Sequence, residues 1–512
     1  MPRKFSPLRF LRRTPSSDSP QSVRGALFFT TIQQYTNFIV SFASIMILSR
    51  LLTPKEIGVY SVALTFLNVV HMLRDLGTSD YLVQVPELDN ATARTAFTIN
   101  LCIAWFLAIV LFFASPLLAD FFSEPGLSTV LRILTLTFFL LPIGATINAI
   151  LVREMEFALR FKINLFQVLV QNGLTVLLAF CGFGYYSLAW GAVAGMATAV
   201  CGCLFWAGHY RIRGVGLSQW RPVTHFGVQK TAETVMNQLG GAAPDFVIGR
   251  VLGLAEVGLF SRGYGLVRMF RQNVMGAVAT VSYSTFARLY REGKDVSAPY
   301  LHSITLITGL GWPFLAFSSL MAYPVIHIFF GDQWEASVPI LRFMAIAGAI
   351  GLTVIQFQTL LTSIGRVGLS SLCTAIMQSA TIAMLVVTAF ISLKAIAIGF
   401  IPVACAQAIA IATLIIRLTP ATPAAYLRAL LPSAIVTLAG LLPTLCIHNL
   451  LTPGPDAIWW PTIAAGLAML SGCLIAGALI GHPLWIELRD FVVKRLGANR
   501  DRARDNADHA VD

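Results

Sequence analysis

The amino-acid sequence predicts an all-α polytopic membrane protein with about 14 transmembrane helices. We expect two pseudo-symmetric six-helix lobes around a central cavity, plus a C-terminal helix pair. Three observations lead to this prediction: the composition, a series of apolar runs, and an internal repeat. Hydrophobic residues make up 56% of the 512 residues and charged residues only 12%, against about 25% in an ordinary soluble domain. The mean hydropathy is +0.74. This composition excludes a soluble enzyme, a nucleic-acid-binding protein and a disordered scaffold.

Fourteen apolar runs are separated by polar loops, and each is long enough for a membrane span, which needs ~20 largely apolar residues. They lie at 26–48, 57–75, 95–115, 128–150, 163–182, 184–208, 231–251, 256–285, 299–321, 338–361, 368–390, 395–416, 429–450 and 460–481. We refer to them as segments 1 to 14.

The orientation of the chain is predicted by the Lys and Arg residues, which collect in the cytoplasmic loops of membrane proteins. With the N-terminal tail inside, the cytoplasmic stretches hold 27 of the 36 Lys and Arg residues. We therefore expect a multi-pass protein of the cell (inner) membrane with both termini in the cytoplasm.

Two hairpins in the sequence repeat each other. RLLTPKEIGVYS (50–61) joins segments 1 and 2, and RVLGLAEVGLFS (250–261) joins segments 7 and 8. Gly58 matches Gly258 at the common offset of 200 residues, and we interpret both glycines as sites of close helix approach. Six spans separate the two hairpins, so the repeat is parallel.

The repeat divides the chain into six parts. These are a basic cytoplasmic tail (1–25), an N-lobe (26–210), a cytoplasmic interlobe loop (211–230), a C-lobe (231–417), an appended helix pair (418–481) and a charged cytoplasmic tail (482–512).

Four stretches of the sequence resemble the polysaccharide-biosynthesis family of oligosaccharide-lipid flippases (Wzx-type). This family belongs to the multidrug/oligosaccharidyl-lipid/polysaccharide exporter superfamily. The stretches are SRLLTPKEIGVYSVALTFLNVVHMLRDLG (49–77), LVREMEFALRFK (151–162), FVIGRVLGLAEVGLFSRGYGL (246–266) and FFGDQWEASVPILRFMA (329–345).

The resemblance implies a transporter rather than an enzyme. Its substrate would be an undecaprenyl-diphosphate-linked oligosaccharide repeat unit for capsule, exopolysaccharide or O-antigen assembly. Two lobes would move it from the cytoplasmic to the periplasmic leaflet by alternating access. The implied partners are this lipid-linked oligosaccharide and the bilayer, with a polymerase and a chain-length regulator of the same pathway as open candidates, and no nucleic acid.

Polar side chains inside the apolar runs are expensive and call for a reason. In segment 1, Gln33 and Asn37 are four residues apart on one helix face, and in segment 5 Gln167 and Gln171 are placed in the same way. Such side chains can hydrogen-bond between helices or line a hydrated cavity that binds sugar hydroxyls. We expect the cavity, together with Asn237 and Gln238 of segment 7.

The charged residues of segments 7 and 8 can be paired by their depth in the membrane. In two antiparallel helices, residues that are equally far from the connecting hairpin lie at the same depth. Asp245 and Arg262 match in this way, which predicts a structural ion pair. Glu233 lies nearest in depth to Arg271, and it is either structural or a site of ion coupling.

Arg268 has no acid at its depth in this scheme. An unpaired Arg near mid-membrane costs at least ~2.5–3.5 kcal/mol on insertion scales, so an anion should compensate it. Arg268 and Arg271 are three residues apart and share a helix face. We therefore expect both to bind the lipid diphosphate, which suits a planar bidentate donor.

Three other functions are alternatives to this one. A membrane-embedded polymerase or ligase would need catalytic groups on a long outer loop, and the sequence offers no catalytic residue, metal site or cofactor motif. A drug or cation exporter of the same superfamily would favour acidic over basic intramembrane residues. A peptidoglycan lipid-precursor flippase handles the same lipid diphosphate and stays open, as does whether H⁺, Na⁺ or no ion drives the cycle.

Overall fold

A computed structural model describes residues 20–75, 78–85, 88–210, 212, 214–218, 220, 240–450, 458–487 and 489–490. Within these residues the secondary structure is helical and contains no strand. Eleven helices of the described part are long and apolar enough to cross a membrane. The predicted fold class is therefore confirmed.

The chain divides into two compact units, Met1–Gly258 and Leu259–Asp512. The lobe and tail boundaries predicted from the sequence stay predictions. The helices up to the hairpin before Leu254 are α1 Pro20–Leu51, α2 Pro54–Asp75, α3 Thr78–Gln84, α4 Asn90–Phe121, α5 Pro125–Arg153, α6 Phe157–Phe180, α7 Tyr186–Trp206 and α8 240–251.

The remaining helices begin at that hairpin. They are α9 Leu254–Arg291, α10 Ser297–Leu320, α11 Ala322–Phe330, α12 Val338–Leu352, α13 Phe357–Ser363, α14 Val367–Ala389, α15 Leu393–Leu418, α16 Pro423–Leu450, α17 Trp459–Leu479 and a last short helix at 483–487.

Every predicted segment coincides with a described helix, except that the first part of segment 7 lies outside the described residues. Eleven of the fourteen segments coincide with helices that qualify by length and hydropathy. The other three, segments 1, 7 and 8, correspond to α1, α8 and α9. The predicted count of fourteen is compatible with this arrangement.

Segment 10 departs from one continuous helix. The helix is interrupted at residues 353–356, between α12 and α13. The carbonyl oxygen of Thr353 accepts a hydrogen bond of 2.5 Å from the hydroxyl of Tyr426 on α16, which satisfies a backbone group that the interruption leaves open. The buried amide of Gln356 donates from Nε2 to Oγ of Ser282, at 3.2 Å.

Helix ends follow from local side chains. Asp89 caps α4 by accepting a hydrogen bond from the backbone amide of Thr92 at 2.7 Å. Hydrogen bonding with Thr92 holds the pKa of Asp89 below its ordinary value. Ser392 caps α15 in the same way through the amide of Ala395, at 3.0 Å. Gly253, with a φ of 105°, allows the tight turn between α8 and α9.

Two small residues set the packing of α6 against α7 in the first unit. A methyl group added at Gly191 would overlap the side chain of Thr175, and one added at Gly195 would come within 2.7 Å of Cβ of Gln171. The two helices therefore pack closely enough for these polar side chains to fill the groove on α7.

Hydroxyl groups connect α10 and α16 in the second unit. Oγ1 of Thr308 donates to Oγ of Ser433 at 2.9 Å, and Oγ of Ser433 donates to the carbonyl oxygen of Thr305 at 3.1 Å. His482, which follows α17, is 3% exposed and its Nε2 lies 3.2 Å from Oγ of Ser433. The chain after the last span is thus anchored to the helix bundle.

Candidate functional site

A polar cavity of about 330 Å³ lies inside the first unit. Gln33 of α1 and Gln167 of α6 both line it, so the two polar helix faces predicted from the sequence meet at one place. The remaining lining residues come from α2, α3, α5, α6 and α7. They are Arg74, Ser79, Leu141, Gly144, Ala145, Asn148, Arg160, Ile163, Asn164, Met196, Ala199 and Cys203.

The charged groups of this cavity are two arginines. Arg160 donates from Nε to Oδ1 of Asn148 at 3.1 Å, and the buried Arg74 donates from Nη1 to Oδ1 of Asn100 at 3.0 Å. The described residues that line the cavity include no Asp or Glu. The cavity is therefore positively charged and rich in carboxamide groups, which suits an anion that also carries hydroxyl groups.

A carboxamide oxygen of the lining is buried without a hydrogen bond to any described residue. Oδ1 of Asn164 is buried and has no hydrogen-bond partner among the described residues, and Oδ1 of Asn37 on α1 is in the same condition. A buried polar atom without a partner is costly and marks a place where water or a ligand group can bind.

The other predicted residues of α1 and α6 take different positions. Gln171 packs its side chain over Gly195 of α7, and neither Gln171 nor Asn37 is among the residues that line the cavity. Their part in substrate binding stays a prediction. Asn237, Gln238 and Glu233 lie outside the described residues, and their roles stay predictions as well.

Arg268 and Arg271 lie on α9 in the second unit, and both side chains are exposed. Val267, beside them on the same helix, is 3% exposed and packs inward. The two guanidinium groups are therefore accessible on α9. Binding of a diphosphate by this pair stays a prediction.

Asp245 and Arg262 have contacts within their own units. Oγ1 of Thr65 donates to Oδ2 of Asp245 at 2.5 Å, which joins α2 to α8. The guanidinium carbon of Arg262 lies 5.3 Å from the ring centre of Trp334 and 5.8 Å from that of Phe330, a cation–π arrangement. The ion pair between Asp245 and Arg262 stays a prediction.

Sequence reasoning did not include Arg74 and Arg160 in the site. Both lie at the ends of apolar runs, where a positive charge is typical of membrane topology. A signal was present, since Arg160 precedes Asn164 and Gln167 by four and seven residues and so extends the same helix face. No comparable pattern marks Arg74.

A second cavity, of about 630 Å³, lies in the second unit and is apolar. Its walls come from α9, α10, α16, α17 and the segment after α17, and they include Phe270, Phe314, Met469 and Trp485. Among the described residues of the whole chain, no group of three His, Cys, Asp or Glu could hold a metal ion.

Comparison with known sequences decides the family. The sequence pattern of the family described as "Polysaccharide biosynthesis protein" matches residues 47–339, more than half of the chain. This protein belongs to that family. The resemblance of the four sequence stretches to this family is confirmed.

Two curated relatives of this family member show how far the likeness extends. The succinoglycan biosynthesis transport protein ExoT of Rhizobium meliloti is 28% identical over 340 residues, which cover 66% of this chain and 68% of that relative. The lipopolysaccharide biosynthesis protein WzxC of Escherichia coli is 22% identical over 330 residues, which cover 63% and 66% of the two chains.

Solved structures share the fold. The lipid II flippase MurJ in its inward closed conformation matches with a TM-score of 0.68 and 13% identity, covering 91% of this chain and all of MurJ. An inward-facing multidrug resistance MATE family transporter of the MOP superfamily matches with a TM-score of 0.61 and 16% identity, covering 75% and 96%. The chain therefore has the fold of MOP superfamily transporters.

Proposed function

We propose that this protein moves an undecaprenyl-diphosphate-linked oligosaccharide repeat unit from the cytoplasmic to the periplasmic leaflet, for the assembly of a cell-surface polysaccharide. The family assignment and the names of two relatives, a succinoglycan transport protein and a lipopolysaccharide biosynthesis protein, support this proposal. The same relatives agree with the prediction of a transport protein rather than an enzyme.

The observation that carries the proposal is the polar cavity of the first unit. It brings two arginines and four carboxamide side chains together in an apolar helix bundle, where such groups are costly unless they meet water, a hydrophilic ligand or one another. Carboxamides both donate and accept hydrogen bonds, so Gln33, Asn148, Asn164 and Gln167 suit the hydroxyl groups of a sugar.

The substrate would divide between two environments. The sugar would pass through polar surroundings while the polyprenyl tail stays in lipid, because its transfer to water costs ~0.8 kcal/mol for each CH₂ group. Arg268 and Arg271 of α9 would hold the diphosphate, since their exposed side chains share a helix face and a guanidinium binds phosphate oxygens in pairs.

The remaining parts of the proposal come from the sequence. Both termini would lie in the cytoplasm of a cell whose inner membrane holds the protein, and a polymerase and a chain-length regulator would act on its product. The proposal includes no cofactor. Glu233 is the residue to test for coupling to H⁺ or Na⁺.

Complementation tests this function. In a strain that lacks the protein, the wild-type gene should restore export of the surface polymer, with lipid-linked repeat units accumulating inside when it is absent. If the gene instead rescues a strain depleted of its peptidoglycan lipid-precursor flippase and leaves polymer export unrestored, the substrate is the peptidoglycan precursor and the proposal is wrong.

A further inference from the structure

The cavity of the first unit contains a guanidinium group that is held in place and still has donors to spare. Arg160 donates from Nε to Oδ1 of Asn148 at 3.1 Å, and its side chain is half-buried. Its two terminal nitrogens donate to none of the residues that the structure describes. The bond to Asn148 orients the planar group, so that the free edge is available to a ligand.

The surroundings of Arg160 favour a negatively charged ligand. The described lining residues contain no carboxylate, and the partner of Arg160 is a neutral carboxamide. The free edge of a guanidinium matches two oxygens of a phosphate or a carboxylate. An anion is therefore the ligand group that Arg160 can bind most strongly.

The neighbours of Arg160 favour a ligand that also carries hydroxyl groups. Asn164 and Gln167 follow it on the same face of α6, and Gln33 faces the cavity from α1. Oδ1 of Asn164 is buried without a partner among the described residues, so it can accept a hydrogen bond from a hydroxyl group. The volume of about 330 Å³ is at the lower end of small-molecule sites, which run from ~300 to ~1,000 Å³.

We propose that this cavity is a binding site for a glycosyl phosphate, in which Arg160 holds the phosphate and the carboxamides of Asn148, Asn164, Gln167 and Gln33 bind the hydroxyl groups of the attached sugar. The site rests on the proposed function, and it adds to the arginine pair of α9 a second place where the charged head of the substrate is held. The ligand can come from a lipid-linked or from a soluble glycosyl phosphate.

Calorimetric titration of the purified full-length chain in detergent tests the site. The probes are glucose 1-phosphate, farnesyl-diphosphate-linked glucose, and the neutral methyl glucoside. Both phosphorylated probes should bind at least ~10-fold more tightly than methyl glucoside. Arg160→Gln should remove that preference when it is made in an Arg268→Ala, Arg271→Ala background, which takes away the arginine pair of α9. If the farnesyl-linked probe binds much more tightly than glucose 1-phosphate, the source is a lipid headgroup; equal affinities indicate a soluble one.

A matched control is available on the same helix. Lys162 lies two residues further along α6, and its Nζ is placed over the ring of Trp206 at 4.3 Å rather than in the cavity. Lys162→Gln removes the same charge, and it should leave the affinity for both phosphorylated probes within ~2-fold of wild type. Equal losses of affinity in both variants would mean that net charge alone attracts the anion, and the proposed site would be contradicted.

Arg160→Lys keeps the positive charge but lacks the paired donors of the guanidinium group, and it serves as a second variant in case Arg160→Gln does not fold. It should elute from a size-exclusion column as the wild-type protein does, and it should bind glucose 1-phosphate more weakly. Unchanged binding in a well-folded Arg160→Gln variant would overturn the site. Failure of the proposed function is a separate result, because a wild-type protein that binds these probes but does not translocate a lipid-linked oligosaccharide would leave the site intact.

Discussion

Gly58 of α2 and Gly258 of α9 face each other across a reciprocal contact. A methyl group added at Gly58 would overlap the carbonyl oxygen of Leu254, and one added at Gly258 would overlap that of Pro54. The four residues form two pairs at the offset of 200, Pro54 with Leu254 and Gly58 with Gly258. Equivalent residues of the repeat therefore make the same contact twice, as a two-fold relation between the two hairpins requires.

This contact predicts that Gly258→Ala destabilises the protein. The added methyl group has no room beside Pro54, and overpacking costs typically ~1–3 kcal/mol, which exceeds the ~0.5–1 kcal/mol that replacing a helical glycine with Ala gains. The variant should be less abundant in membranes and should melt at a lower temperature in detergent.

Gly265→Ala is the control for that experiment. It lies seven residues further along α9, and a methyl group there meets open space. We expect its melting temperature to equal or exceed that of wild type. A Gly258→Ala variant as stable as the control would show that the two hairpins do not pack this closely.

The segment after α17 should detach as the pH falls. Nδ1 of His482 accepts a hydrogen bond from the amide of Leu484 at 3.1 Å, so in the neutral form Nε2 carries the proton and donates to Oγ of Ser433. Burial, together with the charge of His302, which in turn contacts Glu487, holds the pKa of His482 below its ordinary value of 6.5.

The sign of the effect follows from that direction. The detached segment takes up a proton before the packed one, so the stabilisation is complete above about pH 6.5 and is lost as the pH falls. Limited proteolysis of the C-terminal tail should therefore become faster as the pH is lowered from 8 to 5. His482→Gln should show a weaker pH dependence, and His448→Gln, at the end of α16, should behave as wild type. An unchanged pH dependence in the His482 variant would contradict this assignment.

Arg268 should be needed for transport but not for folding. Its side chain is exposed on α9, so Arg268→Ala should reach normal abundance and lose polymer export. Arg268→Lys should also fail substantially, because a point charge loses the bidentate geometry. Export measured in a complemented strain, with abundance checked on blots, decides the matter. Normal export by Arg268→Ala would place the diphosphate elsewhere.

Filling the polar cavity should block transport without any change of charge. Ala199 of α7 lines the cavity, and Ala199→Trp would occupy much of its volume, whereas Ala199→Ser would leave it open. We expect the Trp variant to lose polymer export and the Ser variant to keep it at similar abundance. Export by a stably folded Trp variant would show that the substrate does not use this cavity.

The sequence predicted the helices well because hydropathy and charge distribution depend on local composition alone. It also predicted that Gln33 and Gln167 share a cavity, since the two polar faces have a helical period. The interruption at 353–356 was not predicted, because its stabilising partner, Tyr426, is 73 residues away. The helix α3 was not predicted either, as seven residues are too few for a hydropathy window to detect.

Arginines at the ends of apolar runs are the harder case. Positive charge at a membrane boundary fits both topology and ligand binding, and composition alone does not separate the two. Arg153 and Arg160 illustrate the difference, because Arg153 donates to the carbonyl oxygens of Leu82 and Val85 and so stabilises the end of α3, while Arg160 faces the cavity. Tertiary packing decides between these roles.

Translocation by the purified protein in liposomes tests the central claim most directly. Undecaprenyl-diphosphate-linked oligosaccharide would be placed in both leaflets, and the fraction open to an external sugar-oxidising reagent would be followed with time. With the protein present, the inner-leaflet fraction should become accessible, and in protein-free liposomes or with Arg268→Ala it should stay protected. Protection that persists with well-folded wild-type protein, with or without a pH or Na⁺ gradient, would contradict the account.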